Sequence, residues 1–268
     1  MSDDVYEIYA LKYGHSARRS PENFIGGDAH DVDMPLDYSN WLIRNAARSF
    51  VVDTGYDEAS ASKRNRDLVR PVRDNLAALG VTCETVTDVI VTHMHYDHAG
   101  NDGLFPAARF HVQDAEMAYA TGRCMCHAYS NHPYDVDNVT AMVRRVYAGL
   151  VCFHDGVSEL APGITLHRIG GHSRGLQIVR VKTARGHVVL AADTAHFYAH
   201  LDRRRIFPTV DSVADVLEGY DTVLRLATSR DHVIPGHDPL VMALYPPASR
   251  DLAGFVARLD LPPKTGAA

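Results

Sequence analysis

Cysteine, tryptophan, long apolar runs and excess positive charge are all scarce in this chain. Four of 268 residues are cysteine: Cys83, Cys124, Cys126 and Cys152. They give one C-x-C pair and no C-x-x-C, which is neither a zinc-ribbon spacing nor a disulfide framework. No run approaches the roughly 18–20 apolar residues that a bilayer span requires. Lysine and arginine number 27 against 33 acidic residues, a formal net charge of −6. That balance argues against a nucleic-acid groove or an anionic membrane as partner. The opening stretch MSDDVYEIYALKYGHSARR has two early acids and no apolar h-region, so no secretory leader is expected. A cytoplasmic protein is the expectation.

What is abundant is histidine, with sixteen copies in a chain otherwise ordinary at 46% hydrophobic and 22% charged. Short runs rich in valine, isoleucine and aromatics recur at 5–13, 40–45, 49–55, 87–92, 109–112, 164–169, 176–183 and 187–193. Each is bounded by turn formers and reads as a strand. Apolar residues at three- and four-residue steps predict helices over 64–79, 136–148 and 211–227. Mixed strands and helices predict an α/β fold of layered sheets with helices outside. No linker or repeat divides the chain. One domain over 1–268 is expected, with 117–150 as a helical insertion near the active site.

The stretch VIVTHMHYDHAGN, residues 89–101, places His93, His95, Asp97 and His98 directly after an apolar strand. Alternate residues of an extended chain face one side, so His93 and His95 project together. Asp97 and His98 follow where the chain turns, and Gly100 permits the turn. Three further candidates follow strand-like runs: His172 in RIGGHSRG, Asp193 in VVLAADTAH and His237 in VIPGHDP. Imidazole and carboxylate together suit zinc, and also iron, cobalt or manganese. His93, His95 and His172 can hold one ion, and Asp97, His98 and His237 a second. Asp193 can bridge the two.

H-x-H-x-D-H, a later His, an Asp 21 positions on and a final His in a G-H-D turn together resemble the metallo-β-lactamase superfamily. The resemblance implies an αββα sandwich of two mixed β-sheets flanked by helices, with two divalent metal ions, zinc first, at one edge. Asp53 in VVDTG fits a strand-end Asp-x-Gly of that superfamily, or is a turn residue. The full histidine set with a bridging Asp resembles the quorum-quenching N-acyl-homoserine lactonases more than the antibiotic-hydrolysing, nucleic-acid-processing or oxygen-reducing branches. That branch implies ring opening of a lactone by a metal-bridging hydroxide, with an N-acyl-homoserine lactone or a compact aromatic lactone as substrate. It also implies a homodimer. Asp97 would protonate the leaving alkoxide. The alternatives are a thioester, amide or cyclic imide hydrolase of the same fold, or a non-hydrolytic metal or redox module.

One position departs from that branch. Its tyrosine three residues after the bridging Asp is His196 here, with Tyr198 two residues beyond. Either can contact the substrate carbonyl, or His196 simply lines the pocket. Pocket candidates are Tyr119, Met125, His127, Tyr129, His132 and Tyr134 in one segment and Phe24, Met34, Tyr38 and Trp41 in another. Cys124 and Cys126 are a metal pair or free thiols. The run DRRR at 202–205 either meets a substrate carboxylate or is a solvated loop.

Overall fold

A computed structural model of the chain describes residues 4–264. Among the described residues, thirteen strands form two mixed sheets. The first contains β1 (Glu7–Ser16), β2 (Leu36–Arg44), β3 (Ser49–Val52), β4 (Asp67–Leu68), β5 (Asp88–Ile90), β6 (Arg109–Gln113), β7 (Val151–His154) and β13 (Val256–Arg258). Its order is β13-β1-β2-β3-β5-β6-β7, with β4 paired to β1. The second contains β8 (Val157–Ala161), β9 (Ile164–Arg168), β10 (Gln177–Thr183), β11 (Gly186–Ala192) and β12 (Val233–Pro235). Its order is β12-β11-β10-β9-β8.

Alternation along the strands builds three apolar layers. Ile8, Ala10, Trp41, Ile43, Val52 and Ile90 of the first sheet meet Leu166, Val179, Val181, Val188 and Leu190 of the second. Their neighbours Leu11, Leu42, Val51 and Val89 point outward, into a cluster with Val72 and Leu76 of one helix and Val139 and Met142 of another. On the opposite face, Ile178, Val189 and Ala191 pack under Val216, Tyr220 and Val223 of helix Val213–Leu226. Helix, sheet, sheet, helix is the αββα arrangement. Among the described residues no helix is long and apolar enough to cross a membrane.

Two helix expectations hold nearly to the residue, as Val136–Tyr147 and Val213–Leu226. Asp135 and Ser212 cap them by accepting backbone N–H groups. The helix expected over 64–79 is much shorter, Val72–Ala78. Pro71 lacks an N–H and disfavours helix at the residue before it, so the chain enters extended, through β4. Residues 114–147 carry helices Asp114–Ala120, Ala128–Asn131 and Val136–Tyr147, with a 3-10 turn at Arg123–Cys126.

Strand direction positions the site. β3 and β5 run parallel, so Asp53 and Thr92 emerge side by side. β11 and β12 are also parallel, which sets Asp193 beside Gly236 and His237. β9 is antiparallel to β10, and β10 to β11, so the end of β9 reaches the same edge and delivers His172. Gln177 ties the sheets there: its side-chain N–H groups donate to the carbonyls of Val91 (2.8 Å) and His111 (3.0 Å).

Candidate metal centre

The strand β5 ends at Ile90, earlier than expected, so His93 and His95 sit in a loop rather than on the strand. His95 is the N-cap of the one-turn helix Tyr96–Ala99, which carries Asp97 and His98. Gly100 has an ordinary φ of −79°. Space requires glycine there, because a Cβ would clash with the Tyr96 carbonyl oxygen and with that of Gly55, 2.7 Å away.

His93, His95, Asp97, His98, His172, Asp193 and His237 all converge in one buried cluster. Each is 8% exposed or less. The ligand atoms of His93, His95 and His172 lie within 4.8 Å of one another, as do those of Asp97, His98 and His237. Asp193 stands between the two groups. Its Oδ2 is 3.2 Å from His172 Nε2 and 4.0 Å from His93 Nε2. Its Oδ1 is 3.3 Å from His98 Nε2 and 3.0 Å from His237 Nε2. His237 Nε2 also approaches Oδ2, at 3.2 Å.

Hydrogen bonds from behind fix which ring nitrogen faces inward. His172 Nδ1 lies 2.7 Å from the Thr209 carbonyl, and His237 Nδ1 3.0 Å from that of Asp37. A carbonyl only accepts, so Nδ1 carries the proton in both rings and the Nε2 lone pair points at Asp193. His98 Nδ1 is 2.7 Å from Asp53 Oδ2, with the same consequence. Thr92 donates to Asp53 through its hydroxyl (2.8 Å) and its backbone N–H (2.7 Å), and its hydroxyl lies 3.1 Å from His93 Nδ1. Asp53 is therefore the outer partner of His98 and, through Thr92, of His93. It holds a left-handed φ of +61° while fully buried. Such strain persists where the surroundings impose it.

Lone pairs aimed at a carboxylate repel unless positive charge lies between them. His98 Nε2, His172 Nε2, His196 Nε2 and Asp193 Oδ1 are buried without a hydrogen-bond partner. The titration behaviour agrees. Burial opposes charge on His98, but Asp193, Asp97 and Asp53 outweigh it and raise its pKa well above the usual imidazole range. His237 is also raised, for burial is outweighed there by Asp193 and Asp97. His237, His98 and His196 overcome burial to hold Asp193 well below the carboxylate range. Burial, reinforced by neighbouring imidazoles, keeps His93 and His95 neutral, the ligand form. A pocket made for cations treats a proton this way. The donor set of imidazole nitrogens and carboxylate oxygens fits a pair of divalent ions.

His196 joins the cluster. Its Nε2 is 3.1 Å from Asp193 Oδ2, and its ring stacks on Phe207 with centroids 3.9 Å apart. Tyr198 does not reach the cleft. It packs in the inter-sheet core beneath the Arg230 guanidinium, and its pKa is raised by that burial. Trp41 also belongs to that core, 1% exposed, and lines no pocket. Tyr38 is in the cleft, its ring 5.0 Å from that of His237. His132 lines the cleft as well, and Tyr134 stands edge-on to His95 at 4.6 Å. Phe24 is buried against His200, Tyr119 is buried, and Met34 and Met125 are partly buried against the outer core. His127 and Tyr129 are exposed, the latter donating to the Pro208 carbonyl at 2.5 Å. Cys124 and Cys126 carry free thiols. The 202–205 run faces elsewhere: Asp202 pairs with Arg230, Arg203 with Asp28 and Arg204 with Asp221, while Arg205 donates to the Gly27 carbonyl.

Glu116 had no signal in the sequence. It is fully buried and accepts four hydrogen bonds. Oε1 takes Met94 N–H (2.8 Å) and the Tyr134 hydroxyl (2.9 Å). Oε2 takes the Ser173 hydroxyl (2.7 Å) and Gly175 N–H (3.0 Å). One carboxylate thus clamps the His93–His95 loop to the His172 loop. Gly236 is needed by close approach, since a Cβ there would lie 2.6 Å from Asp193 Oδ1.

The sequence model of the metallo-beta-lactamase superfamily matches residues 34–237. The chain belongs to that superfamily. N-acyl homoserine lactonase AttM of Agrobacterium fabrum is 25% identical over 229 residues, 80% of this chain and 85% of that one. A solved quorum-quenching N-acyl homoserine lactone lactonase superposes with a TM-score of 0.71 at 21% identity, over 89% of this chain and 94% of the other. AidC, a dizinc quorum-quenching lactonase in complex with a product, gives 0.66 at 17% identity, over 87% of each chain. The two structural likenesses establish the fold. This superfamily member is a metal-dependent hydrolase related to N-acyl homoserine lactonases.

Proposed function

We propose that this enzyme is a dinuclear metal-dependent lactonase. The observation that carries the reading is Asp193, whose Oδ2 lies beside His172 and whose Oδ1 lies beside His98 and His237. His93, His95 and His172 would hold one ion, and Asp97, His98 and His237 the other, with Asp193 shared. Two divalent ions so held, most simply zinc, would supply hydroxide at neutral pH and Lewis-acid polarisation of a carbonyl. The residues of the chain do the rest. Asp53 and Thr92, with the Thr209 and Asp37 carbonyls, fix the imidazole orientations before substrate arrives. His196, on the wall beside Asp193, is placed to hydrogen-bond the substrate carbonyl oxygen as charge develops there.

Water adds across the acyl C–O bond of the ring. A new C–O bond forms, the ring C–O bond breaks, and the departing alkoxide takes a proton. Asp97, at the open side of the floor, is placed to deliver that proton. The acid formed then releases a proton to solvent. The inner cleft is narrow, about 90 Å³, which suits a compact ring at the floor. The working form is proposed to be a cytoplasmic homodimer, with the 117–150 segment as an insertion beside the cleft.

Metal analysis with a pH-indicator screen of lactones, thioesters and cyclic imides tests this reading. Two ions per chain and lactone-dependent acid release are expected, and His93→Ala should lose metal and turnover together. Full activity in that variant or in chelated enzyme overturns it.

A further inference from the structure

The mouth of the cleft holds positive charge that the fold leaves without a carboxylate partner. Arg18, Arg64 and Arg66 line the cleft with Tyr38, Tyr96 and His132. Arg64 and Arg66 also line an adjoining outer bowl of about 550 Å³, so they stand where the cleft opens outward. Their polar contacts are all to neutral oxygens. Arg18 donates to Asn23 Oδ1 at 3.3 Å. Arg64 donates to the carbonyls of His132 (2.9 Å) and Tyr134 (3.0 Å). Arg66 donates to the Asn65 carbonyl (3.2 Å) and the Tyr96 hydroxyl (3.4 Å). Other arginines pair with acids, as at Arg19, Arg73, Arg145, Arg204 and Arg258, while Arg180, Arg185 and Arg205 also donate to neutral oxygens but line no part of this cleft. Lys63, also on the bowl, is neutralised by Asp135 at 3.0 Å.

These side chains are held in place. The Arg64 guanidinium lies over the Tyr96 ring, 3.9 Å from its centroid, and its Nε is buried without a hydrogen-bond partner. Arg66 is half-buried against the same tyrosine. A fixed guanidinium loses little freedom on binding and matches a carboxylate with two parallel N–H groups. The acids lining the cleft, Asp97 and Asp193, face the histidines. With two divalent ions on those acids, the cleft as a whole is strongly cationic.

We propose that Arg18, Arg64 and Arg66 form a carboxylate-binding subsite, so that the substrate is an acidic lactone: a compact ring ester carrying a carboxylate away from its acyl carbon. This rests on the lactonase reading above. The ring lies on the floor and the carboxylate projects to the rim. A neutral N-acyl lactone leaves the three guanidinium groups without a counter-charge.

Two measurements on the metal-loaded enzyme test this. Calorimetry compares glutarate with monomethyl glutarate, each of which leaves one carboxylate for the metals. Wild type should bind glutarate at least ~10-fold tighter, in line with one charge-assisted bidentate contact. In the Arg64→Gln, Arg66→Gln double variant that ratio should fall toward one, with Arg66→Lys intermediate. Arg18→Gln probes the opposite wall should the double variant fold poorly. Turnover compares γ-butyrolactone-γ-carboxylate with its carboxamide. The acid should be favoured at least ~10-fold in kcat/KM, chiefly through KM, and less so in each variant. Equal glutarate and monomethyl glutarate binding in wild type, or equal turnover of acid and amide, overturns the subsite and leaves lactonase activity standing. Glutarate preference with no lactone turned over supports the subsite and removes the lactonase reading.

Discussion

At the floor of the cleft, seven ligand-type side chains sit on strand ends and short loops, buried and locked from behind by hydrogen bonds. At its rim, three arginines reach inward from irregular segments, on long side chains steadied by one aromatic ring and a few carbonyls. The floor holds its rings by hydrogen bonds from behind and by burial. The rim presents charge and a fork, which a flexible stem delivers well enough. On the two proposals above, the difference separates two tasks: the floor would decide which bond is cut, and the rim which molecule arrives.

The strongest blow to the floor is Asp193→Ala, which removes the oxygens shared by both ligand groups. Turnover should drop by a factor on the order of 10³ and metal content by at least one ion per chain, read by elemental analysis beside initial rates. Retention of both ions would mean the floor is not organised around that carboxylate. Next comes acid. Burial lowers the pKa of His200, just behind the floor, to about 4. An unfolded histidine titrates near 6.5, so between these values the unfolded chain binds a proton that the folded chain refuses. Stability is full above about pH 6.5, falls as pH drops toward 4, and loses roughly 3 kcal/mol over that window. Urea melts across the window should show a shallower decline in His200→Gln; an identical decline would place the acid sensitivity elsewhere.

A gentler cut lies behind the ligands. Asp53→Asn should weaken metal affinity by roughly 10–100-fold, because His98 loses its anionic outer partner. Its ratio of glutarate to monomethyl glutarate binding should stay at the wild-type value; a collapse of that ratio would mean floor and rim are one unit. The smallest effect is expected at Arg204, whose partner Asp221 lies outside the cleft. Arg204→Ala should leave the same ratio unmoved, and any loss there would show that bulk charge, rather than the three rim arginines, sets the preference.

The floor was legible in the chain for a physical reason. Ligands clustered at 93–98, and again at single turns after apolar runs, leave a spacing that strand ends dictate. Layered sheets with outer helices were legible because short β-branched runs alternate with helical spacing, and the αββα arrangement followed from the family resemblance. The rim was hidden by one misplaced element. A helix over 64–79 absorbs Arg64 and Arg66 as ordinary solvent-face residues, whereas the helix begins only at Val72, Arg64 ends the preceding helix Glu58–Lys63, and both arginines line the cleft. Glu116 was silent because a carboxylate on a short helix looks exposed until two loops fold over it. Trp41 and Tyr198 misled in the other direction: aromatic bulk near a motif went to the core.

By itself the sequence determined the layered sheets with outer helices and pointed to the candidate donors that the fold brings together, since apolar runs and the ligand-type residues that follow them are local features of the chain. Only the tertiary structure decided that both Asp193 oxygens are shared, that Glu116 fastens the loops and that Arg18 lines the same cleft as Arg64 and Arg66. Those are encounters between residues tens to hundreds of positions apart, and the packing of two sheets, not any local pattern, sets the distances between them.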